Sequence, residues 1–124
     1  MVPMALRRAE DRDHIAELFS DFGPVTVRRM FSGSGVFADG LMIGLAVDGV
    51  IFLKADAQNI PEFEREGLRP FSYGTKRGTR ILNSYWRMPE RLYDDPGELA
   101  GWGRRAMDAA RRAVAVKSSK RRKS

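Results

Sequence analysis

Two Asp-Gly pairs, each set between apolar runs, constrain the fold of this 124-residue chain more than any other feature. They are Asp39-Gly40 and Asp48-Gly49. Asp-Gly suits a two-residue type I′ turn, because both central residues need a positive φ and the twist of that turn matches the twist of the strands. The sequence therefore predicts an antiparallel meander with the strands Val36–Ala38, Leu41–Val47 and Val50–Lys54.

Further elements are predicted on both sides of this meander. Ile15, Leu18, Phe19 and Phe22 lie at helical spacing within a predicted helix over residues 9–22. Val25–Met30 is predicted as a strand, and Gly33-Ser34-Gly35 as a bulge or bend that interrupts the first strand. The later predictions are a helix over 59–67, strands over 71–73 and 79–88, and a helix from the Asp95 cap to about residue 115.

This order of elements indicates an α+β fold. The order is helix, three strands, helix, two strands, helix, and it predicts a two-layer α/β sandwich with an antiparallel sheet of about five strands. In the last strand, Leu82 and Trp86 are expected on the face that the core requires. Residues 1–116 are predicted to form one domain, and residues 117–124 a flexible basic tail.

The net charge of +6 belongs to the end of the chain. Residues 1–110 hold 15 Lys and Arg and all 16 Asp and Glu, which leaves a net charge of −1 there. Such a basic run predicts weak, sequence-independent attraction to DNA, and the alternative is a solvated segment that only aids solubility. The candidate DNA-contacting residues are Arg111, Arg112, Lys117, Lys120, Arg121, Arg122 and Lys123.

Several classes of protein are excluded by composition. The absence of cysteine removes disulfides, thiolate zinc sites, iron–sulfur ligation and cysteine nucleophiles. No apolar run approaches 18 residues, so no transmembrane helix is predicted, and the first residues do not show the pattern of a signal peptide. We therefore expect a cytoplasmic protein without a membrane partner.

The residues that usually carry catalysis have simpler explanations here. His14 is the single histidine, and a metal site would need further ligands from elsewhere. Ser32 and Ser34 flank glycines but lack the pattern of a hydrolase nucleophile elbow, and Gly33-Ser34-Gly35 lacks the later glycine of a dinucleotide loop. Asp94-Asp95 precedes a predicted helix and is explained by capping. We predict no enzymatic activity, no metal and no cofactor.

A mixed basic and aromatic stretch offers a second, folded nucleic-acid surface. Aromatic side chains stack on bases and arginines neutralise phosphates. Burial of Trp86 in the core is the simpler explanation of the same pattern. The residues of this stretch are Lys76, Arg77, Arg80, Tyr85, Trp86 and Arg87.

An ordered series of short motifs from Arg28 to Trp102 resembles the N-terminal domain of the TfoX/Sxy family, the bacterial regulators of natural competence. The series begins with Arg29-Met30-Phe31-x-Gly33-x-Gly35-x-Phe37-x-Asp39-Gly40 and Asp48-Gly49-x-x-x-Leu53-Lys54-Ala55-Asp56. It continues with Pro70-Phe71-x-Tyr73, Tyr85-x-x-x-Pro89-Glu90 and Leu92-x-Asp94-Asp95-Pro96-x-Glu98-Leu99-x-x-Trp102.

This resemblance implies an antiparallel α/β sandwich and a regulatory, non-catalytic role without a cofactor. The chain departs from the family pattern at Ser32, where glycine is usual, and at Tyr85-Trp86, where paired tyrosines are usual. The full-length regulators also carry a second, helical domain, which this chain is expected to lack.

Two hypotheses of function follow. The first is a regulatory domain that acts through an unidentified protein partner, with weak DNA contact through the tail and with a homodimer left open. The alternative is a small-molecule-binding or enzymatic domain that uses a cleft near Gly33–Gly35 and Lys54–Asp56. A ligand site requires convergent polar groups in a pocket, whereas an interaction domain requires an exposed apolar patch.

Overall fold

The computed structural model describes residues 12–30 and 33–122, and the last described side chain is that of Ser118. This part of the chain forms helices α1 (Arg12–Leu18), α2 (Ile60–Arg65) and α3 (Pro96–Arg122), and a 3₁₀ helix over Glu90–Asp94. Its strands are β1 (Thr26–Met30), β2 (Gly33–Ala38), β3 (Leu41–Val47), β4 (Val50–Lys54), β5 (Pro70–Thr75) and β6 (Gly78–Arg87).

The strands form one antiparallel sheet in the order β1-β2-β3-β4-β6-β5. The predicted α+β class with an antiparallel sheet is confirmed. The expected count of about five strands is wrong, because four strands precede α2 and the described sheet has six. The chain reverses between Met30 and Gly33, and β2 then pairs along the whole of β1. A reversal, not a bulge in one long strand, therefore separates β1 from β2.

Both Asp-Gly turns adopt the predicted geometry. Asp39 and Gly40 have φ values of 49° and 75°, and Asp48 and Gly49 have 51° and 78°. Each turn joins directly paired strands, with Ala38 opposite Leu41 and Val47 opposite Val50. The positive φ at both central positions is what a type I′ turn requires.

An irregularity between β2 and β3 sets which residues face the helices. Ile43 is an extra residue between the pairs Val36–Gly44 and Phe37–Met42. Such a bulge places two successive residues on one face and shifts the alternation of the following ones. Met42, Leu45 and Val47 consequently lie on the face of the sheet opposite the buried Ile43.

The core lies between the sheet and the helices. Ile43, Ile51 and Leu53 are fully buried on the sheet, and α3 packs over β3 and β4. The α1 residues Ile15 and Leu18 and the following Phe19 close the core on the β1 side, as the helical spacing predicted. An aromatic cluster fills the region under α2, where the Phe63 ring lies 5.1 Å from that of Trp102 and 6.0 Å from that of Trp86.

The last helix starts as predicted but ends later. The Glu98 backbone N–H donates to Asp95 Oδ1 at 3.0 Å, which caps the first turn. The helix continues to Arg122, so the expected end near residue 115 is too early. Lys and Arg favour helix continuation intrinsically, and no glycine or proline follows Gly103 to stop it. The division into a domain over 1–116 and a flexible tail stays a prediction.

One prediction for β6 is wrong. Pro70 pairs with Trp86, but the next β5 residue, Phe71, pairs with Leu82, so three residues of β6 have no partner on β5. This irregularity breaks the two-residue alternation. Trp86 faces the core, whereas Leu82 lies beside Phe71 and Tyr73 on the opposite face and is 37% exposed.

Candidate functional site

The sheet carries an uneven distribution of charge. Its six strands contain no aspartate or glutamate. They contain five cationic residues, Arg28, Arg29, Lys54, Arg80 and Arg87. The carboxylates of the described chain lie on helices, turns and connecting segments. An approaching molecule therefore meets a positive sheet, although residues 1–110 sum to −1.

A groove of about 450 Å³ lies on the sheet face opposite the buried Ile43 and Leu53. The meander strands and the β5–β6 hairpin form its walls. Apart from Gly33, its lining side chains are apolar or aromatic, and the Tyr73 hydroxyl is the only polar side-chain group among them. The lining residues are Met30, Gly33, Met42, Leu45, Val47, Phe71, Tyr73 and Leu82.

Glycine at position 35 is needed for the packing on this face. A Cβ atom on Gly35 would lie 2.6 Å from Met30 Sδ and 2.8 Å from the Phe37 ring, which is closer than real Cβ atoms approach. Because Gly35 has no side chain, the side chains of Met30 and Phe37 can pack over it. The Gly33 and Gly35 pattern therefore serves close packing, and it supplies no phosphate-binding loop.

Aromatic rings line the hairpin wall of the groove. The rings of Phe52 and Phe71 meet edge to face at 4.9 Å, and those of Phe71 and Tyr73 stack at 5.8 Å. Tyr73 is 46% exposed. This wall presents rigid apolar area to solvent, which is typical of surfaces that bind another molecule.

Three arginines lie on the groove face of the sheet. Cross-strand partners share a face of the sheet, so Arg80 lies beside Tyr73, Arg87 beside Phe52, and Arg28 beside Gly35. Arg28 lies over the Phe37 ring at 5.0 Å from its centroid. No ion pair within the described residues involves any of these three arginines. We call Arg28, Arg80 and Arg87 the cationic rim.

The basic end of α3 is partly engaged by the chain itself. Arg112 Nε and Nη2 donate to the two carboxylate oxygens of Asp56 at 2.6 and 2.9 Å, and Arg111 Nη2 lies 3.5 Å from Asp39 Oδ2. The hydrogen bonds from Arg112 hold the pKa of Asp56 below its usual range. Two of the seven predicted DNA-contacting residues therefore have carboxylate partners within the fold.

Of the other five predicted DNA-contacting residues, the structure describes one with its side chain, three by their place on the helix alone, and one not at all. The Lys117 side chain is exposed on α3. Lys120, Arg121 and Arg122 lie on the last turns of the same helix. Lys123 lies outside the described residues. The backbone of α3 thus continues as a helix to Arg122, and the flexibility expected of residues 117–124 stays a prediction.

The two regions of the predicted cleft lie in separate cavities. Gly33 lines the groove, whereas Lys54 lines a cavity of about 140 Å³ at the end of the sheet. Met42 lines both. Asp56 is held by Arg112 and lies in a turn fixed by the buried Asn59, whose Oδ1 accepts from the Asp56 N–H at 2.7 Å. Neither cavity is lined by both regions, and the expectation of one cleft near Gly33–Gly35 and Lys54–Asp56 stays a prediction.

The candidate catalytic residues that the structure describes lie on different elements. Ser34 is buried within β2, His14 lies half-buried on α1, and Ser32 lies outside the described residues. In the described part of the chain, no three His, Asp or Glu side chains lie together as metal ligands would. Asp95 caps α3, as its position predicted.

Residues 17–110 match the family model described as the TfoX N-terminal domain. The chain belongs to the TfoX N-terminal domain family. It is also 27% identical over 114 residues to the "DNA transformation protein TfoX1" of Aliivibrio fischeri (strain ATCC 700601 / ES114). That alignment covers 89% of this chain and 54% of the relative, so the chain spans about half of the relative's length.

The matched TfoX N-terminal range contains the whole sheet and the groove. It ends at residue 110, immediately before Arg111. All seven predicted DNA-contacting residues therefore lie outside the family match, whereas the cationic rim lies inside it. Within the described residues, no helix has the length and apolarity needed to cross a membrane.

The groove is the feature that sequence reasoning missed. A signal was present in β3, because Leu41–Val47 is apolar at nearly every position, which indicates a strand with apolar side chains on both faces. The sequence does not say that helices cover only one of those faces. The cationic rim was found only in part, since Arg80 and Arg87 belong to the basic and aromatic stretch named from the sequence, whereas Arg28 lies far from them along the chain.

Proposed function

We propose that this chain is a competence-related regulatory domain that acts by binding a protein partner and has no catalytic activity. Membership of the TfoX N-terminal domain family supports the regulatory role, and the name of the Aliivibrio fischeri relative supports a link to DNA transformation. Since the chain spans about half of that relative, the proposal concerns the N-terminal domain alone.

The groove on the sheet is the observation that carries this proposal. It is concave and almost wholly apolar, and the polar groups that orient a small substrate are absent from the described lining. Its volume of about 450 Å³ leaves room for side chains of a partner. An interaction surface explains both properties, whereas an enzyme site explains only the volume.

The partner segment that fits is an acidic amphipathic helix. Apolar side chains at helical spacing would enter a groove in which Met30 and Met42 can adapt their shape. Acidic residues beside that apolar stripe would face Arg28, Arg80 and Arg87, which have no ion-pair partners among the described residues. A second copy of this chain fits poorly, because two cationic rims would then face each other.

The test uses a labelled synthetic peptide with leucines at i, i+3, i+4 and i+7 and glutamates elsewhere, and a scrambled peptide of equal composition. Fluorescence anisotropy measures binding to the wild type, Leu82→Ser, Ile81→Ser and Arg80→Gln. Ile81 is the matched control, because it neighbours Leu82 but is 66% exposed and pairs with Ser72 on the other face.

We expect Leu82→Ser to weaken peptide binding about tenfold and Ile81→Ser to leave it unchanged. Arg80→Gln should weaken binding and reduce its salt dependence. Equal binding of the two peptides, or equal losses for Leu82→Ser and Ile81→Ser, would refute the docking surface. If the wild type binds single-stranded DNA and Leu82→Ser abolishes that binding, the aromatic wall is instead a nucleic-acid platform.

The competence role needs a test in cells. Deleting the gene in its own host should lower the frequency of transformation by added DNA. Complementation with wild type or Ile81→Ser should restore that frequency, and Leu82→Ser should not. An unchanged frequency in the deletion strain would remove the competence role while leaving the peptide result untouched.

Weak DNA attraction by the end of α3 remains part of the proposal. Lys117 is exposed, and cutting the chain after Val116 removes five positive charges while keeping the buried Leu99 and Ala106. Truncation should lower duplex affinity and flatten its dependence on salt, because fewer counterions are released. Equal affinity and salt slope for both forms would place any DNA contact on the folded surface, with Arg77, Arg80 and Arg87 as candidates.

A further inference from the structure

A second, smaller cavity lies where the end of the sheet meets α3. Lys54 is the last residue of β4, and Tyr85 is its direct cross-strand partner on β6. Lys117 reaches the same place from the late turns of α3. The cavity measures about 140 Å³ and is separate from the groove, so an inference drawn from it does not rest on the proposed partner binding.

The polar side chains of this cavity are donors of hydrogen bonds to an anion. Two lysines and one tyrosine line it, together with five apolar residues, Leu41, Met42, Ala110, Ala113 and Val114. No Asp or Glu is among the described residues that line it. Ammonium groups only donate hydrogen bonds, and their positive charges repel a cationic ligand, so this set of side chains favours an anion.

The nearby carboxylate is already engaged. Asp56 lies two residues after Lys54, but both of its oxygens accept hydrogen bonds from Arg112. The Lys54 ammonium instead lies 5.0 Å from the centre of the Tyr85 ring. Lys54 therefore packs on an aromatic face at the cavity, and no ion pair of the described residues involves it.

The two lysines act on each other unfavourably. Burial lowers the pKa of Lys54 most, the positive charge of Lys117 lowers it further, and Asp56 raises it only in third place. Burial also raises the pKa of Tyr85, so its hydroxyl keeps the proton that it would donate. An anion between the two lysines would relieve their repulsion.

We infer that the cavity between Lys54, Tyr85 and Lys117 binds a phosphate group. A phosphate monoester carries about two negative charges above pH 7, which match two ammonium groups, and its further oxygens can accept from the Tyr85 hydroxyl. The apolar wall at Ala113 and Val114 suits the carbon next to the ester oxygen. The phosphate is carried either by a small molecule, as a monoester, or by the backbone of a polynucleotide, as a diester with one negative charge, and the test separates these sources.

The experiment titrates the full chain with methyl phosphate, with methanol as the uncharged control, and with a short DNA duplex. Backbone amide shifts of Lys54, Tyr85 and Lys117 in ¹H–¹⁵N spectra report binding. The variants are Lys54→Gln, Lys117→Gln and Tyr85→Phe, which keeps the buried ring. Lys76→Gln is the matched control, because Lys76 lies at the exposed β5–β6 turn outside the cavity.

We expect saturable shifts with methyl phosphate that Lys54→Gln and Lys117→Gln each weaken about tenfold, a smaller loss for Tyr85→Phe, and no change for Lys76→Gln. Saturable duplex binding that depends on Lys54, without methyl phosphate binding, would identify the polynucleotide as the source. Binding of neither probe, or an equal loss for Lys76→Gln, would overturn the site. The result is independent of the groove, since none of the four variants alters the cationic rim.

Discussion

Two leucines on the two faces of the sheet provide a direct test of the open groove. Leu53 on β4 faces the helices and is 0% exposed, whereas Leu82 on β6 faces the groove and is 37% exposed. The same substitution, leucine to alanine, removes the same atoms at both places. Only the surroundings differ, so the difference between the two losses in free energy of unfolding measures how much more deeply Leu53 is buried than Leu82.

The expected costs follow from that burial. Leu53→Ala leaves a closed cavity among packed neighbours and should cost about 3 kcal/mol. Leu82→Ala leaves a space that water enters from the groove. It therefore loses only part of the free energy gained by burying the leucine side chain, about 1 kcal/mol. The two variants should therefore differ in unfolding free energy by about 2 kcal/mol.

Urea unfolding followed by circular dichroism measures both values, with the slope against urea as a check that the same surface is exposed. Ile81→Ala, on the other face of the hairpin, should cost less than either. Equal losses for Leu53→Ala and Leu82→Ala would show that the groove face is covered in solution. The proposed docking surface would then be wrong.

Four further substitutions test the turns and the end of the sheet. Gly40→Val or Gly49→Val should destabilise the fold by about one to several kcal/mol in thermal unfolding, because a β-branched residue would be forced to positive φ, and an unchanged melting temperature would contradict the turn assignment. Asn59→Ala should cost about 1–3 kcal/mol, since the buried amide accepts from the Asp56 N–H and donates to the Lys54 carbonyl, and a loss near zero would refute that role. Asp56→Asn should flatten the loss of stability on acidification, because a carboxyl with a lowered folded pKa stabilises the fold above its unfolded pKa of about 3.9 and loses that contribution as pH falls through the folded value. Glu66 and Glu98, whose pKa values Arg91 lowers, should keep part of the acid dependence in that variant, and an unchanged profile would contradict the Asp56–Arg112 pair.

Features with local causes could be predicted from the sequence. The Asp-Gly turns, the Asp95 cap and the Ile15, Leu18, Phe19 stripe each depend on residues within a few positions of one another. The failures have non-local causes. Whether Gly33–Ala38 continues β1 or folds back on it is decided by pairing, and the shift that turns Leu82 away from the core arises between β5 and β6.

The candidate site shows the same division. The sequence located the positive charge at residues 111–124 but not the pairing of Arg112 with Asp56, which is 56 positions away. The composition of β3 indicates apolar side chains on both faces of the strand. It does not indicate that the described helices leave the second face uncovered. Charge sums along a chain say where charges are, and only the fold says which of them are already neutralised.

Because of the cationic rim, an acidic partner and a second copy of this chain should bind the groove with opposite dependences on salt. Measuring both dependences is the sharpest test of what covers the groove. Salt screens charges on the protein surface, with a Debye length of about 8 Å at physiological ionic strength. An acidic helix held by apolar contacts and by Arg28, Arg80 and Arg87 should bind more weakly as salt rises. Two copies meeting through their grooves would bring those arginines together, so their association should strengthen with salt. Sedimentation of the chain alone and anisotropy of the acidic peptide, measured over one salt series, distinguish these cases. If self-association grows with salt and Arg80→Gln strengthens it at low salt, the rim acts mainly to keep the apolar faces apart. If the chain stays monomeric throughout while peptide affinity falls, the rim selects an acidic partner, which is the result that the geometry favours.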